Sequence, residues 1–180
     1  MTDRLTIQTS RTDDLPVATL LAIVHLCTEA YQKDFSPNFS SIPPDGLHSL
    51  GYFGDQLVSH AVVATRWLQP EKMPMLRTAY VDAVATYPTH QGRGFGSAVM
   101  RHLASVIADD YEIACLVTAR VSFYDRLGWE LWRGPLAGRS ETGLVPTQDQ
   151  KGIMILRLPR TPALNLEVLL TIECQPGRIW

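Results

Sequence analysis

The stretch Val81–Met100 reads VDAVATYPTHQGRGFGSAVM, and its reading decides the fold. Its strand begins at Ala79 and runs to Thr86 as small and β-branched residues, which suits a buried position. Tyr87-Pro88-Thr89 breaks the run, because proline fixes φ and donates no hydrogen bond. Gln91-Gly92-Arg93-Gly94-Phe95-Gly96 follows. Apolar residues then recur at Phe95, Val99, Leu103, Val106 and Ile107, the spacing of one helix face, so a helix is expected over Gly94–Ala108. The segment is therefore strand, glycine-rich turn, helix. Such a turn aims free backbone N–H groups at one spot beside the positive end of a helix dipole. That suits a pyrophosphate, and the glycines let the ligand approach the backbone.

Two familiar phosphate loops do not fit. A dinucleotide fold needs G-x-G-x-x-G with an acid at the end of the next strand. Gly92 and Gly94 comply, but the third glycine falls on Ser97, and Asp109 and Asp110 precede the next strand. A P-loop needs G-K-[ST], and the turn has no lysine. What matches is Q-x-x-G-x-G, as Gln91, Gly94 and Gly96, and it resembles the acyl-CoA loop of the GCN5-related N-acetyltransferases. Downstream, Phe123-Tyr124-Asp125-Arg126-Leu127-Gly128-Trp129 resembles that family's short helix, in which a tyrosine lies by the coenzyme A sulfur. The two motifs in this order are far more specific than either alone.

The chain has 180 residues, 46% hydrophobic, with a formal net charge of −2. One globular domain over 1–180 is expected, with enough chain to bury a core. No basic run suggests nucleic acid. Leu15–Leu26 is apolar but too short to span a bilayer, and Asp13 and Asp14 precede it where a signal peptide wants positive charge. Those acids suit a helix start, with Pro16 in the first turn. Cys27, Cys115 and Cys174 are far apart, odd in number and set in apolar runs, so each reads as a small buried hydrophobe in a reducing, cytoplasmic protein. His48 and His60 fall on facing strands of one hairpin and are expected to be cross-strand neighbours. Two histidines make a weak zinc case, and no metal is expected.

In order, the chain reads as a strand Leu5–Thr9, a helix from Asp14 to Tyr31, and an irregular stretch Gln32–Asp45. A hairpin of Leu47–Phe53 and Leu57–Trp67 turns at Gly54-Asp55-Gln56. After the central segment come a strand Glu112–Val117, a short helix Ala119–Leu127 capped by Gly128, and a strand Trp129–Arg133. Gly134–Gly152 reads as a long loop, and Ile153–Leu158 and Leu164–Glu173 as antiparallel neighbours. The class is α+β, a mixed, mostly antiparallel sheet flanked by helices, and the resemblance implies the GCN5-related N-acetyltransferase fold.

Acetyl transfer from a thioester to an amine needs a base for the amine, a donor for the oxyanion and an acid for the thiolate. Asp82 sits inside the apolar run Ala79–Ala85, where a charge is rarely left without a partner or a task. It is the candidate base; a solvent-facing or arginine-paired carboxylate is the bland alternative. Tyr124 is the candidate acid, since a phenol of ordinary pKa can protonate a departing thiolate. By itself it reads better as a helix tyrosine with its ring in the core and its hydroxyl at the surface, and only the resemblance shifts that balance.

Over nearly its whole length the chain resembles the aminoglycoside 2′-N-acetyltransferases. The matching pieces include Lys33-Asp34-Phe35, Gly46-Leu47-His48, His60-Ala61-Val62-Val63, Tyr80–Ala85, Arg133-Gly134-Pro135 and a C-terminal tryptophan. The resemblance implies acetyl-CoA as donor and a homodimer. Val84, Ala85 and Thr86 would bind the pantetheine arm through backbone groups. Gln91, Gly92, Arg93, Gly94, Phe95 and Gly96 would hold the pyrophosphate. Asp82 would act through water where relatives carry glutamate, and Tyr124 would be the acid. Asp34, Phe39, Ala83, Val117, Asp149, Gln150, Arg178 and Trp180 would line the sugar pocket beside Asp82. Phe39 and Arg178 stand where relatives have acids. Arginine suits a substrate carrying its own carboxylate, such as kasugamycin, better than a polycationic sugar. A protein or polyamine acetyltransferase, and a coenzyme A-binding protein without catalysis, are the other readings.

Overall fold

The hairpin expected around Gly54 is present as β2, Leu47–Phe53, and β3, Gln56–Pro70. Gly54 turns it with φ of 60°, a conformation that favours glycine. The computed structural model describes residues 4–180. It divides into two units, one of residues up to Ala64 with Val81–Val106, the other of Thr65–Tyr80 with Ile107–Trp180. β3 and β4, Leu76–Thr86, run through both.

In the first unit β1, Leu5–Arg11, pairs antiparallel with β2, and β2 with β3, with a register shift between Gly51 and Tyr52. Helix α1, Val17–Tyr31, ends where Gln32 turns left-handed at φ 53° and its N–H reaches the Thr28 carbonyl. The buried face of α1, Ile23, Leu26 and Cys27, packs with Leu50, Leu57, Val62, Ala83 and Ala85. Each large aliphatic side chain fully buried here contributes about 1.5–3 kcal/mol. Helix α3, Phe95–Ile107, buries Val99, Met100 and Leu103. A Cβ on Gly51 would come within 2.9 Å of Val99, so glycine lets α3 approach β2.

In the second unit β5, Ile113–Val117, lies parallel to β4, and β9, Ile153–Arg157, antiparallel to β5. Helix α4 is Val121–Asp125, after which Gly128 takes φ of 86°, the left-handed position expected of it. The short β6, Glu130–Leu131, pairs with β9. The core gathers Leu68, Leu76, Tyr80, Ile113, Trp132, Ile155 and Leu170. Arg66 is fully buried; its Nε donates to Glu173 Oε1 at 3.0 Å and its guanidinium lies over the Tyr80 ring.

Several expectations are corrected. Gly134–Gly152 is not a plain loop, because it contains the hairpin β7, Leu136–Ser140, and β8, Gly143–Pro146. Its small and polar residues hid it: Gly138 must be small because a Cβ there would meet Cys174 Sγ at 2.5 Å, and β8 is exposed throughout. Leu164–Glu173 is strand only as β10, Leu170–Glu173, and the carbonyl of the buried Leu166 accepts instead from Arg133 and Gly134 N–H. β9 and β10 are not neighbours; β9 lies between β5 and β6, and β10 is antiparallel to β3 and parallel to β7. Asp13 and Asp14 form a separate 3₁₀ turn, and Pro16 caps α1 from outside its first turn. The irregular Gln32–Asp45 carries one helical turn, α2, Ser36–Phe39. Cys174 is half-buried rather than buried. No helix among the described residues is long and apolar enough to cross a membrane.

Candidate active site

The first unit presents mostly main chain. Gly92 and Gly94 have φ of 75° and 81°, which other residues adopt at a cost. A Cβ added at either would meet nothing within 4 Å. Contrast Gly134, where a Cβ would lie 2.0 Å from the Val168 carbonyl oxygen, and Gly152, where it would lie 1.8 Å from that of Thr118. Those glycines make room for the protein. Gly92 and Gly94 make a turn whose outer side is open, a cradle a side chain would fill. The first turn of α3 follows, and its N–H groups have no partner within the helix. Together they could hold a phosphate or pyrophosphate group.

The loop is braced from within. Gln91 Nε2 turns back and donates to the Thr86 carbonyl at 3.1 Å. The Arg93 guanidinium lies over the rings of Phe53 and Phe95, 4.4 and 4.8 Å from their centroids. Phe95 is buried, and Gly96 is half-buried in the first helical turn.

The end of β4 departs from a regular strand. Ala83 has φ of 51°, and it is the residue between Asp82 and Val84. Burial still alternates: Val81, Ala83 and Ala85 are buried, Asp82, Val84 and Thr86 half-buried. The carbonyls past Asp82 take side-chain donors. His60 Nδ1 reaches Ala83 O at 2.8 Å, Tyr31 Oη reaches Val84 O at 2.8 Å, and Ser59 Oγ reaches Ala85 O at 3.1 Å. Ser59 Oγ also lies 2.8 Å from Thr86 Oγ1. The sequence reading did not assign Tyr31, Ser59 or His60 to the site. The available signal was polar Ser59-His60 inside the otherwise apolar Leu57–Val63.

His48 and His60 are indeed neighbours, with His48 Nδ1 2.8 Å from His60 Nε2. Burial pushes His48 down to about 4. It pushes His60 to about 3, helped by the charge His48 could carry and opposed by the hydrogen bond to Ala83. Among the described residues no group of three His, Cys, Asp or Glu side chains is placed to hold a metal.

Two other first-unit candidates are side chains. Asp34 is exposed, and its Oδ1 accepts from the Ser36 N–H at 3.0 Å and the Ser36 hydroxyl at 2.7 Å, which hold its pKa below the usual carboxylate value. Phe39 packs on the core of α1 and β2, its ring 6.3 Å from that of His48.

The second unit presents side chains. Tyr124 is buried, its ring edge-on to Phe123 at 4.9 Å and to Trp129 at 5.9 Å. Burial pushes its phenol up to about 12, against the pull of Arg120. The hydroxyl is thus fully protonated and a weaker acid than an ordinary phenol. Trp180 Nε1 donates to Thr147 Oγ1 at 2.9 Å, and the Gln150 N–H to the Thr147 carbonyl at 3.0 Å. Thr147 and Gln150 line a cavity of about 780 Å³ with Trp132, Arg133, Gln148 and Lys151. Asp149 and Val117 are exposed. The Arg178 guanidinium lies 5.2 Å from the Tyr80 ring centroid, and Arg178 and Gln175 form a backbone bridge.

The model of one family, described as "Acetyltransferase (GNAT) domain", matches residues 16–132. An aminoglycoside 2′-N-acetyltransferase from Mycolicibacterium fortuitum is 29% identical over 175 residues, 94% of this chain and 89% of that protein. Among solved structures, the GNAT family N-acetyltransferase YhbS from Escherichia coli, in complex with CoA, has a TM-score of 0.66 at 13% identity, covering 94% of this chain and 89% of that one. ElaA from Escherichia coli has a TM-score of 0.59 at 16% identity, covering 86% of this chain and 100% of that one. A probable N-acyltransferase from Enterococcus faecalis has a TM-score of 0.60 at 17% identity over 71% of this chain, which spans 33% of that longer one. These likenesses show a shared fold.

Proposed function

We propose that this chain, which belongs to the acetyltransferase (GNAT) family and is an acetyl-CoA-dependent N-acetyltransferase, acetylates the 2′ amine of an aminoglycoside, kasugamycin above others. The observation that carries the aminoglycoside reading is the 29% identity to the Mycolicibacterium fortuitum enzyme across 94% of the chain. The open-sided turn at Gly92 and Gly94 fits the donor's pyrophosphate, and Val84–Thr86 its thioester arm. Asp82 takes the proton of the substrate ammonium through a water. The amine nitrogen then bonds to the acetyl carbon as the carbon–sulfur bond breaks, and Tyr124 protonates the sulfur. The nitrogen's second surplus proton passes through water to the tyrosinate, leaving a neutral amide. One acetyltransferase domain, a homodimer and a cytoplasmic home go with this reading.

Kasugamycin enters through charge. Arg178 suits a carboxylate, and Lys151 lines the second unit's cavity together with amides and a hydroxyl rather than acids, while the Arg133 guanidinium at the same cavity is paired to Glu167. Polycationic sugars lack a carboxylate to meet them. The test is kcat/KM for kasugamycin and for gentamicin, on the parent and on Arg178→Asp. Efficient use of kasugamycin alone is expected. The variant should lose roughly 2–5 kcal/mol toward it if the pair is desolvated, and gain on gentamicin. Equal use of both by the parent would sink the charge argument. Acetylation of a protein or polyamine with neither sugar used would replace the substrate reading.

A further inference from the structure

The polar chain beneath the end of β4 has a direction. The Ala83 carbonyl can only accept, so the proton on His60 sits on Nδ1, 2.8 Å away. A neutral His60 then offers a bare Nε2, and the donor to it is His48 Nδ1–H at 2.8 Å. That leaves His48 Nε2 bare, with Thr12 Oγ1 at 3.0 Å. Thr12 Oγ1 also lies 3.2 Å from the Gly46 carbonyl, whose oxygen is already satisfied by the Thr12 N–H at 2.9 Å; the hydroxyl has one proton, and the bare His48 Nε2 is the nearer acceptor and the one that needs it. Both rings are fully buried, where every donor and acceptor needs a partner. The chain runs one way, Thr12 to His48 to His60 to Ala83, and ends on a residue held at φ 51° without being glycine. A backbone outlier of that kind persists only where its surroundings hold it.

We propose that Thr12, His48 and His60 are positioning residues whose hydrogen-bond chain fixes the kink at Ala83, and so sets Val84–Thr86 to receive the donor's thioester arm and Asp82 to face the amine. The inference rests on the reading of Val84–Thr86 given above. Two neutral imidazoles inside an apolar hairpin are otherwise a poor use of core space. A pair of leucines would bury more apolar surface and need no partners.

The experiment replaces the terminal donor in the full chain. In His60→Asn the amide N–H stands near where the imidazole Nδ1–H stood. In His60→Leu there is no donor. In His60→Leu with Ala83→Gly the kink no longer needs holding, because glycine adopts positive φ freely. Coenzyme A affinity is read by calorimetric titration, which needs no amine, and KM for acetyl-CoA and kcat are read beside it. The expected result is roughly tenfold weaker binding in His60→Leu, the weight of one buried hydrogen bond, with His60→Asn within about threefold of the parent. The double variant should regain part of the loss. A merely structural role would lower the unfolding midpoint of every His60 variant and leave coenzyme A affinity of the folded protein unchanged, which overturns the proposal. So does His60→Asn binding no better than His60→Leu. Should His60→Leu fail to fold, His48→Leu and His48→Asn repeat the comparison one bond further back. Imidazole nitrogen spectra of the parent give an independent reading: both rings should carry the proton on Nδ1, and an Nε2–H tautomer on His60 would refute the chain. A parent that binds no coenzyme A would overturn the site reading first and this proposal with it.

Discussion

The two units offer their candidate residues in different material. The first offers mostly main chain: two glycines at positive φ, the start of α3, and the carbonyls from Ala83 to Thr86, with Asp82, Asp34 and Phe39 the exceptions. The second offers side chains: the phenol of Tyr124, the indole of Trp180, the amide of Gln150 and the guanidinium of Arg178. The difference teaches how each can be damaged. A main-chain subsite is spoiled by adding atoms, since its groups cannot be deleted. A side-chain subsite is spoiled by removing them. Donor affinity should follow the first kind of change and turnover the second.

The largest effect breaks the side-chain half. Tyr124→Phe removes one oxygen from a buried ring that keeps its contacts with Phe123 and Trp129. The proton is needed only as the sulfur leaves, so kcat should fall about 10²–10⁴-fold with acetyl-CoA KM little changed. Steady-state kinetics decide it, and an unaltered kcat with chemistry limiting would take Tyr124 out of the mechanism. Next comes the main-chain half. Gly94→Val adds atoms in open space, so no neighbour in the protein is struck, but it places a β-branched residue at φ 81° and fills the cradle. Coenzyme A should bind about 10–100-fold more weakly, as expected when a helix N-terminal anion site is blocked. An unchanged dissociation constant in the folded variant would put the pyrophosphate elsewhere.

The same division explains what the sequence disclosed. The strand, turn and helix of Val81–Met100 were legible because main-chain geometry leaves its mark in residue types: small and β-branched residues for β4, Pro88 for the break, glycines for positive φ. The hairpin of β2 and β3 was legible from Gly54. The hairpin of β7 and β8 was not, because Gly138 is small for lack of room rather than for a turn, and β8 buries nothing that would impose alternation. The partners of β10 were hidden for another reason: pairing with β3 and β7 joins segments far apart in sequence, and no local pattern encodes it. Side chains such as Tyr124 could be proposed only by resemblance, since a buried helical tyrosine looks the same with or without a task. Tyr31 and Ser59 went unnoticed because a hydroxyl that serves a carbonyl has no spacing of its own.

The smallest effect concerns what keeps the main-chain half in shape. His48 and His60 have pKa values pushed by burial to about 4 and about 3, below the value near 6.5 they regain on unfolding. Between these limits the unfolded chain binds protons that the folded one refuses. Stability is therefore complete above pH 6.5 and declines as pH falls toward the folded values. One pH step below 6.5 should cost about 1 kcal/mol for each histidine, read as a lower urea midpoint at pH 5.5 than at pH 7.5. The groups packed around the pair do not compensate. Thr12 and Phe39 do not titrate there, and Cys27, near the Ala83 carbonyl, is pushed up to about 12 and stays neutral. Asp34, with its pKa lowered, loses its contribution only at more acid pH than this window. Replacing both histidines with asparagine should flatten the dependence between pH 7.5 and 5.5, even though the variant starts less stable. If the slope survives the double replacement, the acid sensitivity belongs to other groups, and the buried imidazoles are protonated more readily than their surroundings allow.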